Sequence, residues 1–98
     1  MAVKDADINR YLDATGIKHS HIGYRYLLAA IQLGTKSPKS LIKITDLYQK
    51  IALNYETEVI SVERAIRYAV SPLNLTNKEF ITKAVDDINC GLKAGRTQ

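Results

Sequence analysis

This 98-residue sequence has few cysteines, no long apolar run and no recognisable enzyme motif. Its single cysteine, Cys90, excludes an internal disulfide, and the N-terminus has no signal peptide, so we expect a protein of the reducing cytoplasm. No apolar run approaches the roughly 18 residues of a membrane span, so no membrane partner is expected. A phosphate-binding glycine loop, a Ser-His-Asp set and clustered carboxylates are also missing, so we expect no catalysis, no cofactor and no small-molecule substrate.

The residues that could bind a metal ion or provide a reactive thiol are too few to form such a site. His19 and His21 make a His-x-His pair without a third ligand, so we predict no metal site. Cys90 has no histidine near it in the sequence to activate its thiol. We therefore expect a buried or half-buried structural thiol.

The composition is that of a folded domain with a basic middle. Hydrophobic residues make up 46% of the chain and charged residues 24%, which fits one modest core and argues against disorder. The net charge is +4, and most of the excess lies between residues 18 and 71. A basic surface suits a polyanion such as nucleic acid, but on charge alone a solvated basic face is the simpler interpretation.

Apolar residues recur with helical rather than strand periodicity along the chain. We predict an all-α fold, one small domain of five to six helices, with helical stretches at about 7–15, 20–33, 41–55, 58–71 and 76–90. The segment 34–40 is predicted as a loop. Thr76 and Glu79 have the spacing of a capping box at the start of the last helix, and residues 92–98 are expected to fray.

The third and fourth stretches have the spacing of a helix-turn-helix over about residues 45–71. Ala52 is the small residue that this motif needs where its helices cross, and Tyr55 is the last apolar anchor of the first helix. Val62 follows at the expected distance on the second helix. Glu56 stands where a turn glycine is usual, which weakens the pattern.

The outward face of the fourth helix carries side chains that suit base reading. Arg64, Arg67, Tyr68 and Ser71 recur there at helical spacing, with Ser61 and Glu63 near the start. Arginine can donate two hydrogen bonds to guanine and glutamate can accept one from cytosine, so Glu63 next to Arg64 suits a G·C step. The alternative is an ordinary solvated face on which Glu63 pairs with Arg67.

Residues 61–69, SVERAIRYA, resemble the recognition helix of a known family, the C-terminal effector domain of the stage-zero sporulation response regulators of Firmicutes. Further similar segments follow the same order: GYRYL at 23–27, LY at 47–48 with IA at 51–52, and NKEFI at 77–81. The likeness runs from about residue 8 to 88. It implies an all-α domain that binds double-stranded DNA, as tandem or paired copies, and regulates transcription in sporulation control.

The resemblance also implies which side chains contact DNA. It implies that Glu63 and Arg64 contact base edges, that Arg67 lies close to the DNA, and that nearby lysines and hydroxyls hold phosphate. With the other side chains of the outward face included, the residues expected at the bases are Ser61, Glu63, Arg64, Arg67 and Tyr68, and those expected at phosphates are Lys43, Thr45, Lys50 and Thr57. Ser61 stands where the family usually has arginine, and Tyr68 where it often has histidine.

The family's receiver domain is not among these 98 residues, so we expect a constitutive binder controlled by its concentration and by self-association on DNA. The expected pairing surface is the last helix, residues 76–89, with the linker 71–75. The alternative is an interaction module that keeps the fold but binds and antagonises a related regulator.

Overall fold

A computed structural model describes residues 5–90, and this part of the chain is helical without strands. Its five α-helices are α1 (Asp5–Ala14), α2 (Ile22–Lys36), α3 (Ile44–Asn54), α4 (Val59–Val70) and α5 (Asn77–Asn89). Short 3-10 helices, Pro38–Leu41 and Ser71–Leu73, precede α3 and follow α4. The prediction of an all-α fold is confirmed. The predicted frayed tail, 92–98, lies outside the described residues.

The central element is α2, which packs against all four other α-helices. Its buried apolar side chains are Tyr24, Tyr26, Leu27, Ala30 and Ile31. A helix that is apolar over so much of its circumference is typical of a core position. In consequence, α4 is placed chiefly by its packing on α2, and α3 is held chiefly by its packing against α4. No helix within residues 5–90 has the length and apolar character needed to cross a membrane.

The close approach of α2 to α4 depends on a glycine. A Cβ atom at Gly23 would lie 2.3 Å from the carbonyl oxygen of Ala65 and 2.9 Å from the Cβ of Ala69. Ala65 and Ala69 are themselves buried on α4. Three small residues therefore let the two backbones come together, and this contact sets the position of α4 on the core. This role of Gly23 was not predicted from the residue spacing.

The end of α2 and the start of α3 differ from the sequence prediction. Residues 34–36 belong to α2 rather than to a loop, and α3 begins at Ile44 instead of near residue 41. Gly34 is buried, and a Cβ atom there would lie 2.6 Å from Cγ2 of Val85 on α5. Glycine costs a helix about 1 kcal/mol relative to alanine. Close packing of α5 against α2 outweighs that local cost.

The turn between α3 and α4 is a Schellman motif, a common way to end a helix. The Thr57 N–H donates to the Ala52 carbonyl oxygen at 2.9 Å, and the Glu56 N–H donates to the Leu53 carbonyl oxygen at 3.4 Å. Glu56 has φ of 53°, in the left-handed region. This is the position where the sequence analysis noted the missing turn glycine. The turn forms without glycine because Glu56 itself adopts the left-handed backbone conformation, which is strained for a residue with a Cβ atom.

We expect Glu56→Gly to raise the free energy of unfolding. A left-handed residue with a Cβ atom costs roughly 1–2 kcal/mol, and the greater freedom of glycine in the unfolded chain offsets part of that, which leaves a gain of about 0.5–1 kcal/mol. Urea unfolding of both proteins measures the difference. Glu56→Ala is the control, since it removes the carboxylate but keeps the Cβ atom. Equal stabilisation by both substitutions would show that the carboxylate, not the backbone, is responsible.

Two side-chain environments also differ from the prediction. Tyr55 is 37% exposed rather than a core anchor, because it follows the last residue of α3, and it packs edge-on against Tyr26 with ring centroids 5.2 Å apart. Tyr24, which periodicity did not single out, is buried instead. The expectation of a buried Cys90 is wrong: this residue caps the C-terminal end of α5, where the chain has left the core, and it is exposed.

Candidate nucleic-acid interface

The candidate interface is centred on α4, which has one buried and one exposed face. Its buried residues are Val62, Ala65, Ile66, Ala69 and Val70. Of the residues predicted to contact bases, Glu63 is half-buried, and the exposed ones are Ser61, Arg64, Arg67 and Tyr68. The structure thus places all five on the same helix, outside its buried stripe.

The exposed surface of α4 has a centre and two flanks. Because successive helical residues are about 100° apart, Arg64 lies opposite the buried stripe. Glu63 and Arg67 lie on one flank, and Ser61 and Tyr68 lie on the other. The Tyr68 ring, 70% exposed, borders the loop between α1 and α2. A ligand that binds to the exposed face of α4 would therefore contact Arg64 at the centre of that face.

Glu63 and Arg67 form an ion pair one helical turn apart. Oε2 of Glu63 accepts hydrogen bonds from Nε of Arg67 at 3.0 Å and from Nη2 of the same guanidinium. Exposed pairs at this spacing contribute only about 0.3–0.5 kcal/mol. Within residues 5–90, no ion pair engages Arg64. The pairing considered as the alternative in the sequence analysis is therefore present, while Arg64 keeps its guanidinium available.

A cleft of about 570 Å³ lies beside the flank of α4 that carries this pair. Its walls come from α3, α4 and the start of α5, and it is lined by Ile44, Tyr48, Glu63, Arg67, Ser71, Leu75, Thr76, Asn77 and Lys78. Nδ2 of Asn77 donates to the backbone oxygen of Glu63 at 3.1 Å, which ties α5 to α4. Burial raises the pKa of the Tyr48 phenol, so this side chain is neutral. The exposed cations on the cleft are Arg67 and Lys78.

Lys78 is a candidate residue that the sequence analysis missed. It follows the recognition-helix pattern by a loop and the start of another helix, and only the fold brings it to the same cleft as Arg67. No local pattern in the sequence signals that proximity.

The helix N-termini differ in how their free amide groups are satisfied. The predicted capping box of α5 is confirmed: Oγ1 of Thr76 accepts from the Glu79 N–H at 3.1 Å, and Oε1 of Glu79 accepts from the Thr76 N–H at 2.8 Å. These hydrogen bonds hold the pKa of Glu79 below its ordinary value. In α2, Nδ1 of His21 accepts a backbone N–H. Among the described residues, no side chain caps α3 at Lys43 or α4 at Glu58. Their first N–H groups therefore have no side-chain acceptor.

The four residues predicted to contact phosphate lie on α3 and on the turn after it. Lys43 is the residue immediately before α3, Thr45 lies in the first turn of that helix, and both are exposed. Lys50 is exposed further along α3, about 140° around the helix axis from Thr45. Thr57 is half-buried in the Schellman turn. Lys43 and Thr45 thus lie together at the helix end next to the cleft, while Lys50 lies apart from them.

Each histidine of the His-x-His pair has a partner of its own. His21 caps α2, while Nε2 of His19 lies 2.6 Å from Oδ1 of Asp13 and its ring stacks on Tyr24 at 4.2 Å. Across residues 5–90, no group of three His, Cys, Asp or Glu side chains is arranged to hold a metal ion.

Ile60 is an unexpected apolar residue on the exposed face of α4. It is the second residue of the helix, its side chain is 54% exposed, and it lies one turn before Arg64. The sequence did contain a signal for this placement, since Ile60 is out of register with the buried positions Val62 and Ile66.

Comparison with known families gives one match. The model of a family described as the sporulation initiation factor Spo0A C terminal matches residues 8–87. No curated protein matches the chain. The matched family consists of DNA-binding domains of transcription regulation in sporulation and is not a family of enzymes. The match gives no support to the alternative of a protein that antagonises a related regulator.

Proposed function

This chain belongs to the Spo0A C-terminal family of sporulation initiation factors, and from that premise we propose that it binds specific double-stranded DNA sequences and thereby regulates transcription. In this proposal α3 and α4, about residues 45–71, act as a helix-turn-helix, and α4 lies in the major groove. The observation that carries it is the exposed face of α4, on which Arg64, without an ion-pair partner among residues 5–90, lies opposite the buried stripe.

Base reading is assigned to the centre and flanks of α4. The Arg64 guanidinium donates two hydrogen bonds to guanine, and the Glu63 carboxylate accepts one from the amino group of cytosine. A good base contact is worth about 1–3 kcal/mol, whereas the Glu63–Arg67 pair contributes about 0.3–0.5 kcal/mol. DNA therefore rearranges that pair at little cost. Arg67 then contacts bases on the same flank, and Ser61 and Tyr68 contact them on the other.

Phosphate binding is assigned to the N-terminal end of α3 and to the turn. The amide groups at the start of α3 have no side-chain cap, and the partial positive charge of a helix N-terminus favours phosphate. Lys43 and Thr45 lie at that end. Thr57 precedes the uncapped start of α4, and Lys50 extends the basic surface along α3. Lys78 adds a cation from the opposite wall of the cleft beside Arg67.

In vitro selection from random duplexes tests this proposal. We expect one short sequence to be enriched, and we expect its affinity in gel shifts to fall steeply as the salt concentration rises. A pool that remains random after several rounds, with no binding that responds to salt, would exclude sequence-specific DNA binding by this chain.

Lys43→Ala should weaken binding to every duplex by the same factor. The loss of one phosphate contact lowers the magnitude of the slope of log affinity against log salt by about 0.9. Arg25→Ala is the control, because it removes one positive charge from the side of α2 that faces away from Gly23 and α4. Gel shifts with a selected and an unrelated duplex measure both effects. If the two variants have equal slopes of log affinity against log salt, Lys43 is not part of the interface.

We also propose that two copies bind side by side on DNA. A single module of this size buries roughly 600–1,000 Å² on DNA, so tight specific binding usually needs a second copy on an adjacent half-site. Since α4 and the cleft with Lys78 must remain free for DNA, the surface assigned to pairing is the part of α5 and of the linker 71–75 that faces away from this cleft. The stoichiometry of the complex on the selected site, measured by analytical ultracentrifugation, tests this assignment.

A further inference from the structure

We infer that Ile60 reads a thymine by contact with its methyl group, an inference that rests on the proposed DNA binding by α4. Ile60 is an aliphatic side chain, 54% exposed, on the outward face of α4 that also carries Arg64 and Arg67. Burial does not explain it, because the apolar positions that face the core are filled by other residues. Helix propensity does not explain it either, because a β-branched side chain is a weaker helix former than most.

The position of Ile60 on α4 matches the part of a recognition helix that reaches the bases. In a helix-turn-helix, the N-terminal residues of the second helix contact base edges in the major groove. Ile60 is the second residue of α4, and Arg64 is one turn further on the same face. Ile60 is therefore presented to the groove together with the proposed guanine-reading side chain.

Major-groove chemistry identifies the group that an aliphatic side chain meets there. Thymine carries a methyl group at C5, and the other three bases present hydrogen-bond donors and acceptors instead. Side chains four residues apart on a helix have Cβ atoms about 5–6 Å apart, and successive base pairs rise by about 3.4 Å. The thymine read by Ile60 therefore lies one or two base pairs from the guanine read by Arg64.

Other exposed aliphatic side chains in the described part of the chain do not share this placement. Ile22 starts α2, Ile42 precedes α3, and Leu53 lies near the end of α3 with 81% of its surface exposed. Isolated exposed apolar residues are common on protein surfaces and need no functional explanation. Ile60 differs because it shares the outward face of α4 with Arg64. Leu53 therefore provides a matched control.

Replacement of single thymines by uracil in the selected duplex tests the inference. Uracil pairs as thymine does but lacks the methyl group. At one position we expect uracil to lower the affinity of the wild-type protein about fourfold, the factor that corresponds to roughly 0.8 kcal/mol for one buried methylene group. Ile60→Ala should bind the thymine duplex more weakly and should not distinguish thymine from uracil at that position.

Two variants complete the experiment. Ile60→Val keeps a branched side chain and should retain part of the preference for thymine, while Leu53→Ala should keep all of it. Thermal unfolding verifies that each variant is folded. The inference is overturned if uracil has no effect at any thymine of a selected site that the wild type binds, or if Ile60→Ala keeps the full preference. Absence of any selected site would instead refute the proposed function, and this inference with it.

Discussion

Arg64→Ala should lower the affinity for the selected DNA site about 5- to 150-fold, which corresponds to the roughly 1–3 kcal/mol of a bidentate base contact. Arg64 lies at the centre of the exposed face of α4 and has no ion-pair partner within residues 5–90. Affinity for unrelated DNA should fall far less, because non-specific binding depends on phosphate contacts. Gel shifts with the two duplexes at one salt concentration measure the ratio.

Two further variants separate base reading from charge. Arg64→Lys keeps the positive charge but loses the planar two-donor geometry, so it should lose specificity nearly as much as the alanine variant. Arg25→Ala removes an exposed cation from the side of α2 that faces away from Gly23 and α4, so specificity should be unchanged. If Arg64→Ala binds the selected site as tightly as the wild type does, the assignment of α4 to base reading is wrong.

Gly23→Ala should strongly destabilise the domain. The added Cβ atom would lie 2.3 Å from a backbone oxygen of Ala65, so α2 and α4 must move apart. Overpacking of this kind costs typically about 1–3 kcal/mol and occasionally more, and we expect the upper end because the obstacle is backbone. Since 1 kcal/mol shifts the melting temperature of a small domain by roughly 4–8 °C, calorimetry should detect a large decrease.

Gly34→Ala is the matched comparison for this variant. It also adds a Cβ atom to a buried glycine of α2, but the nearest atom is Cγ2 of Val85, at 2.6 Å, which belongs to a side chain that can rotate. Alanine also gains about 1 kcal/mol of helix propensity over glycine. The change in stability should therefore be much smaller than at Gly23. Equal melting temperatures for both variants would contradict the tight contact between α2 and α4.

The features that sequence reasoning predicted correctly are those set by local periodicity and local hydrogen bonding. Helical spacing placed Arg64 on the outward face of α4, and the Thr76–Glu79 spacing gave the capping box. Glu56 shows the limit of a local rule. A glutamate at this position is unfavourable for the turn between α3 and α4. The turn is present nonetheless, because packing of α3 against α4 outweighs the backbone strain at Glu56.

The features that sequence reasoning missed depend on contacts between residues far apart in the chain. Gly34 was predicted to end α2, but its contact with Val85 of α5 makes it a buried helical residue. The crossing at Gly23 requires knowledge that α2 packs on α4. Lys78 reaches the cleft beside Arg67 only because α5 folds back against α4. Such placements follow from tertiary packing, which residue spacing alone does not encode.

The buried and exposed faces of α4 can change independently as such proteins diverge. The buried residues that hold the helix on the core are distinct from the exposed residues assigned to DNA. Substitutions at exposed positions usually change stability by less than about 0.5 kcal/mol. In the proposed mode of binding, exchange of Ile60, Ser61, Arg64 or Tyr68 therefore changes the DNA preference on an unchanged scaffold. Duplicated copies of such a gene can then acquire separate targets while their products remain folded.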